Sequence, residues 1–200
     1  VSNSIKVLFV DPSQRNLGLA RALVDPATFE ISPLPSGLLL THTDSEAGKK
    51  VRKSSDDLRR ATELAEVLRE GEAWADLIMA EIPSGSQSAR ACLGAGVCIG
   101  LLASLTKPLI QVSPTEAKKV AVGRATATKD EMIDWAYKLY PNLNWLTHGG
   151  SKRPGKLTDA NEHLADALAI GYAGVMTLEF RAAAAMHNAL NHKLSESKSS

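Results

Sequence analysis

Four residues in this chain have the types and spacing for shared chemistry: Asp11, Glu81, His163 and Asp166. The last two open the segment "EHLADALAIGYA" (162–173). Leu164, Leu168 and Tyr172 recur there at helical spacing, with Ala165, Ala169 and Ala173 beside them, which predicts a helix with a wide apolar face. Residues three or four apart on a helix are neighbours, so His163 and Glu162 both meet Asp166. "TDAN" (158–161) offers N-cap candidates and puts the charged group in the first turns. Taken alone, the acids suit the positive end of a helix dipole, an effect of ~0.3–1 kcal/mol. Asp11 and Glu81 change the weighting, because each closes or nearly closes an apolar run, "IKVLFVD" (5–11) and "ADLIMAEI" (75–82). A carboxylate on such a run is unfavourable unless something pairs with it.

If the two runs are neighbouring strands, Asp11 and Glu81 lie side by side at one sheet edge, where open α/β sheets form their sites. A helix that brings His163 and Asp166 to the same point completes a cluster of carboxylates and an imidazole. Such groups repel and raise one another's pKa unless a cation intervenes. Oxygen-rich ligation suits Mg²⁺, and a histidine is compatible with Mn²⁺. Two such ions can activate water and stabilise a leaving oxygen in phosphodiester hydrolysis.

The elements that must position these residues read as an α/β domain with a mixed sheet. Strands are predicted at 5–11, 17–25 and 26–32, the last extended or followed by 36–42, as an antiparallel meander. A charged helix follows from about Ser45 to Trp74, then a strand at 75–82 and a small-residue helix at roughly 86–105. A strand at 107–114 and helices at 115–123 and 128–141 come next. Thr128 and Glu131 have capping-box spacing. Residues 144–159 read as a loop, 1–192 as one domain, and 193–200 as a disordered polar tail.

With 200 residues and 44% of them hydrophobic, there is enough for one core. No apolar run is long enough to span a membrane. Cys92 and Cys98 face different directions on one helix and fit no zinc pattern, so a reducing compartment is the simplest fit. That compartment is the cytoplasm. Net charge is only +1, but positive charge is bunched. Lys49, Lys50, Arg52 and Lys53 form one cluster with Arg59 and Arg60 nearby. Lys118, Lys119, Arg124 and Lys129 form a second, and Lys152 and Arg153 belong to a third. Three clusters flanking acidic positions suit a polyanion.

Four segments in this order resemble the RuvC-type Holliday junction resolvases of the ribonuclease-H-like superfamily. They are "FVDPSQRNLGLARA" (9–22), "IMAEIPSGSQSARACLGAGVCIGLL" (78–102), "VSPTEAKKVAVGRATATKDEM" (112–132) and "EHLADALAIGYA". Ser13 stands where that family more often has Gly, and the loop after Glu81 carries no aromatic residue. The resemblance implies a ribonuclease-H-like fold with a five-stranded mixed sheet, three strands antiparallel and then parallel ones, flanked by helices. It implies a homodimeric endonuclease, dependent on two Mg²⁺ ions with Mn²⁺ as a substitute, that cuts four-way DNA junctions by paired incisions. Asp11, Glu81, His163 and Asp166 would be the metal-binding catalytic set. Glu162 would back the ligands or cap the helix, and Lys118 and Lys129 would contact DNA or support catalysis. Gly18 would be structural, through positive φ or close approach. A nuclease of the same fold acting on other branched DNA or on RNA/DNA hybrids, or a non-catalytic nucleic-acid module, shares much of this pattern. An actin-like ATPase needs two such lobes and a longer chain.

The helix at 86–105 carries Gly94, Gly96 and Gly100, each of which weakens a helix by ~0.8–1 kcal/mol relative to Ala. Ala89, Leu93, Gly96, Gly100 and Ala103 form a stripe that packs either on the chain's own sheet or against a twin.

Overall fold

A computed structural model describes residues 3–46, 48, 50–83, 88–149 and 155–197, with side chains described as far as residue 192. Three strands, β1 (Ile5–Asp11), β2 (Asn16–Val24) and β3 (Ile31–His42), are followed by α1 (Lys53–Trp74), β4 (Leu77–Glu81), α2 (Ala89–Ala103) and β5 (Leu109–Val112). Four further helices are α3 (Pro114–Val122), α4 (Lys129–Leu139), α5 (Asn161–Gly174) and α6 (Leu178–Ser197). The sheet order is β3-β2-β1-β4-β5. β1 pairs antiparallel with β2, and β2 with β3, whereas β1–β4 and β4–β5 are parallel. This is the predicted mixed five-stranded sheet. No helix among the described residues is long and apolar enough to cross a membrane.

Strand alternation divides the core in two. Leu8 and Val10 of β1 point to the face covered by α1 and α2, where they pack with Leu64, Leu68 and Leu102. Val7 and Phe9 point to the other face, against α3, α4, α5 and α6. α5 is buried on nearly every side, with Leu164, Leu168 and Ile170 at 0–1% exposure. It lies flat on the sheet because glycines let it: a Cβ on Gly171 would sit 2.5 Å from Phe9 Cζ, and one on Gly174 3.0 Å from Met79 Cγ.

Several boundaries differ from expectation for local reasons. The predicted strand at 26–32 is a turn up to Glu30. Asp25 accepts bonds from the Ala27 and Thr28 amides, and Phe29 takes φ 62° while its ring packs edge-on against Phe180. β3 then spans 12 residues through Pro33 and Pro35, with a shift in its register to β2 between Ala20 and Ala22, and both the edge position and that irregularity tolerate proline. The helix expected from Ser45 begins only at Lys53, because Ser45 and the Glu46 amide fold back to bond Asp56. The "TDAN" segment does not cap α5. Asn161 is buried, and its side chain bonds the Leu146 amide and the Leu146 and Thr158 carbonyls, tethering the preceding loop. The Thr128–Glu131 capping box of α4 is present, as is one at Ser113–Glu116 on α3. α6 continues as helix to Ser197, into the stretch read as a tail.

Candidate active site

β1 ends on Asp11 and β4 on Glu81, and the pairing of Val10 with Ala80 sets the two acids side by side at the carboxyl ends of parallel strands. Asp11 pairs on its other side with Gly18 of β2. The first turn of α5 crosses here, so close that a Cβ on Gly18 would lie 2.7 Å from the His163 carbonyl carbon. Gly18 has no positive φ, so close approach is the reason for its glycine. The approach lowers His163 and Asp166 onto the strand ends.

His163 Nδ1 lies 2.8 Å from Asp11 Oδ2, with both side chains largely buried. Burial pushes the Asp11 carboxyl up, against the opposing pull of the His163 bond and charge. Glu81 is pushed up to about 7 by burial and then by the charges of Asp11 and Asp166. Asp166 is likewise pushed up to about 7 by burial, then by Asp11 and Glu162. Lys118 opposes the rise at both. Burial alone would lower His163, but the Asp11 bond and the surrounding acids outweigh it and hold its pKa up. These residues form one electrostatic unit in which three carboxylates have too little positive charge. Among the described residues, no three His, Cys, Asp or Glu side chains already converge as a metal site would. The donors fit a divalent cation in kind, since hard oxygens that resist ionising together are what such a cation relieves.

The other expected residues fall in several places. Glu162 bonds Lys129 at 2.6 Å, beside Asp166. Lys118, Lys129, Glu162 and Asp166 line one recess of about 360 Å³. Lys119 and Arg124 point elsewhere: Lys119 acts on Glu116 of its own helix, and Arg124 pairs with Glu131. Lys50, Arg52 and Lys53 are exposed around the start of α1. Arg59 turns inward to Asp56, Glu63 and the Asp44 carbonyl. Lys49, Lys152 and Arg153 lie outside the described residues.

Cys98 is a neighbour that the sequence does not signal. It is buried under α2, and its thiol is pushed up to about 11 by burial and the charge of Asp11. Helical spacing tells which turn a thiol occupies but not what lies beneath it.

No family model matches this chain, and no curated protein does. Solved structures do. T. thermophilus RuvC in complex with a Holliday junction substrate matches with a TM-score of 0.54 at 20% identity, over 84% of this chain and 92% of that one. The yeast mitochondrial Holliday junction resolvase Ydc2 matches with a TM-score of 0.53 at 11% identity, over 94% and 85%. Fowlpox virus resolvase with Holliday junction DNA matches with a TM-score of 0.50 at 13% identity, over 84% and 94%. The fold is that of the ribonuclease-H-like resolvases.

Proposed function

We propose that this chain, folded as the ribonuclease-H-like resolvases are, is a divalent-metal-dependent endonuclease that hydrolyses phosphodiester bonds in branched DNA, with the four-way junction as its substrate. The observation that carries the reading is that Asp11 and Glu81 end neighbouring parallel strands and share their burial and charge with Asp166, with Glu81 and Asp166 pushed up to about 7. A structural role does not require three carboxylates that resist ionisation together. A divalent cation relieves such a set, and once bound it would attract a phosphate.

Asp11, Glu81 and Asp166 would hold the metal, with His163 beside them, once Asp11 turns from the imidazole. Bound Mg²⁺ or Mn²⁺ would supply positive charge to the phosphate and lower the pKa of a water. The chain's own residues then have definite tasks. Until a metal binds, Asp11 fixes the His163 ring through Nδ1 and holds Nε2 toward a proton or an incoming cation. Lys118, whose charge reaches both Glu81 and Asp166, would attract an incoming phosphate. Glu162 holds Lys129 at the same recess.

A homodimer completes the reading. Gly96 and Gly100 of α2 have nothing within 4 Å of a would-be Cβ, so packing on the chain's own sheet does not account for them. Leu93 and Ile99 are exposed nearby, at 48% and 43%. A two-fold pairing across this face would present two equivalent sites, as paired cuts require.

The test is cleavage of four-way, three-way, flap, duplex and RNA/DNA substrates with Mg²⁺ or Mn²⁺. The four-way junction should be cut fastest, and Asp11→Asn should stop cleavage while leaving junction binding intact. Absence of cleavage on every branched substrate, or full cleavage by Asp11→Asn, overturns the proposal.

A further inference from the structure

An open cavity of about 460 Å³ lies between the turn after β1 and the inward face of α2. Gln14 and Arg15 of the turn, Arg60 of α1, and Arg90, Ala95 and Cys98 of α2 line it. It adjoins the catalytic acids, for the turn continues directly from Asp11 and the Cys98 thiol feels the charge of Asp11.

The charges on its walls do not balance. Arg90 grips Asp57 with both guanidinium NH₂ groups, and Gln14 Nε2 donates to the same carboxylate at 3.3 Å. Arg15 stands 3.6 Å from Asp44 at the mouth. Arg60 is left. It is 6% exposed, and its Nε and Nη2 donate to two neutral oxygens, Thr43 Oγ1 and the Gln14 carbonyl, each at 3.1 Å. Asp57 feels the charge of Arg60, but its oxygens are already engaged. Among the described residues Arg60 makes no ion pair. A buried guanidinium bonded only to neutral groups is an unfavourable arrangement that an anion would relieve, and with Nε and Nη2 engaged Nη1 is the donor left for a phosphate.

We infer that this cavity is a phosphate subsite, seating a backbone phosphodiester of the bound strand next to the one at Asp11. The inference rests on the nuclease reading above. A backbone phosphate fits better than a free ion because of position. The lysine-lined recess of Lys118 and Lys129 belongs to the α3–α5 face of the sheet, and the arginine cavity to the α1–α2 face. A chain of phosphates crossing the strand ends would meet both.

The test uses the full chain in EDTA. Ala95→Glu sets a carboxylate on the cavity wall and Ala95→Lys adds a cation. Both are good helix formers, and neither touches the Arg60 bonds to the turn. Inorganic phosphate, compared with chloride at equal ionic strength, should raise the wild-type melting temperature by roughly 2–4 °C. The rise should vanish in Ala95→Glu and grow in Ala95→Lys. In junction binding, the log–log salt slope of Ala95→Glu should be shallower by about 0.9, the loss of one phosphate contact. A wild-type melt unmoved by phosphate, or two variants that shift in the same direction, overturns the subsite. Phosphate protection with an unchanged salt slope overturns its assignment to the strand. Wild-type protein that binds no DNA at any salt refutes the nuclease reading instead, and the phosphate melts still decide the cavity.

Discussion

Adding one methyl group at Gly18 should disable the site from beneath. The Cβ of Gly18→Ala would press into the His163 carbonyl oxygen and fall 2.7 Å from its carbon, where ordinary contact begins near 3.4 Å, so the two backbones must part by about 1 Å. β2 cannot retreat, because Gly18 is paired with Asp11 on one side and Leu40 on the other. α5 must lift, and with it His163 and Asp166. Overpacking of this kind costs about 1–3 kcal/mol. For a chain this size that lowers the melting temperature by roughly 3–10 °C. A displacement of about 1 Å at reacting groups lowers the rate by ~10²-fold. The assay is single-turnover cleavage of a four-way junction, run with thermal melts and with Gly48→Ala as a control, since Gly48 lies outside α2 and has open space at its Cβ position. Gly48→Ala should melt as the wild type does or slightly higher and cut as before. Wild-type melting and cleavage in Gly18→Ala would refute the argument. A lower melting temperature with an unchanged rate would show that α5 tolerates the lift without moving the acids.

Three more expectations follow from the same geometry. Glu81 and Asp166 stand near 7 when folded, against ordinary values of 4.5 and 3.8, so the folded chain keeps protons that the unfolded chain has released. Their contribution to metal-free stability therefore falls as pH rises from about 4 to about 7, while the stabilisation given by Mg²⁺ grows over that interval. Melts in EDTA and in Mg²⁺ at several pH values check this, and a gap that shrinks as pH rises would contradict it. His163→Ala should slow cleavage by about 10²-fold or more, whereas His163→Asp should retain most of it, because a carboxylate can serve the same cation. Equal rates for the two would reduce His163 to a helix-start residue. Gly96→Leu should yield monomers in sedimentation and single nicks in a cruciform plasmid, and a wild-type monomer that still makes paired cuts would rule out the α2 pairing.

The acids were legible because each breaks a local rule. Asp11 and Glu81 are carboxylates at the ends of apolar runs, and His163 and Asp166 interrupt an otherwise apolar helix. The capping box of α4 was legible for a similar reason, since Thr128 and Glu131 satisfy it within four residues. Features that depend on partners far along the chain were not. Phe29 takes positive φ in its turn with its ring packed against Phe180, about 150 residues along the chain. Asp56 is held down at about 2, chiefly by Arg59, in a knot that also shortens α1. Arg59 and Arg60 are adjacent in one basic cluster, yet one is spent on its own helix and the other lines a cavity. The i,i+3 and i,i+4 spacing of Asp56 and Glu63 to Arg59 hints at the first fate, and nothing local hints at the second. The neighbouring of β1 and β4 was a condition in the sequence reading, and pairing across about 70 residues supplied it.

The glycines beneath α5 bear on timing. A ribosome delivers Asp11 early and Asp166 late, and the sheet edge stays incomplete until the segment carrying His163 has emerged and settled onto Phe9, Gly18 and Met79. Until then Asp11 and Glu81 stand together without the opposing pair, so a partly made chain has two carboxylates and no centre. A cut in the loop ahead of Asn161 would loosen the same helix by releasing its tether to Leu146. If the proposed nuclease reading holds, the capacity to break a DNA backbone would be confined to chains in which α5 has been made and is seated on the sheet.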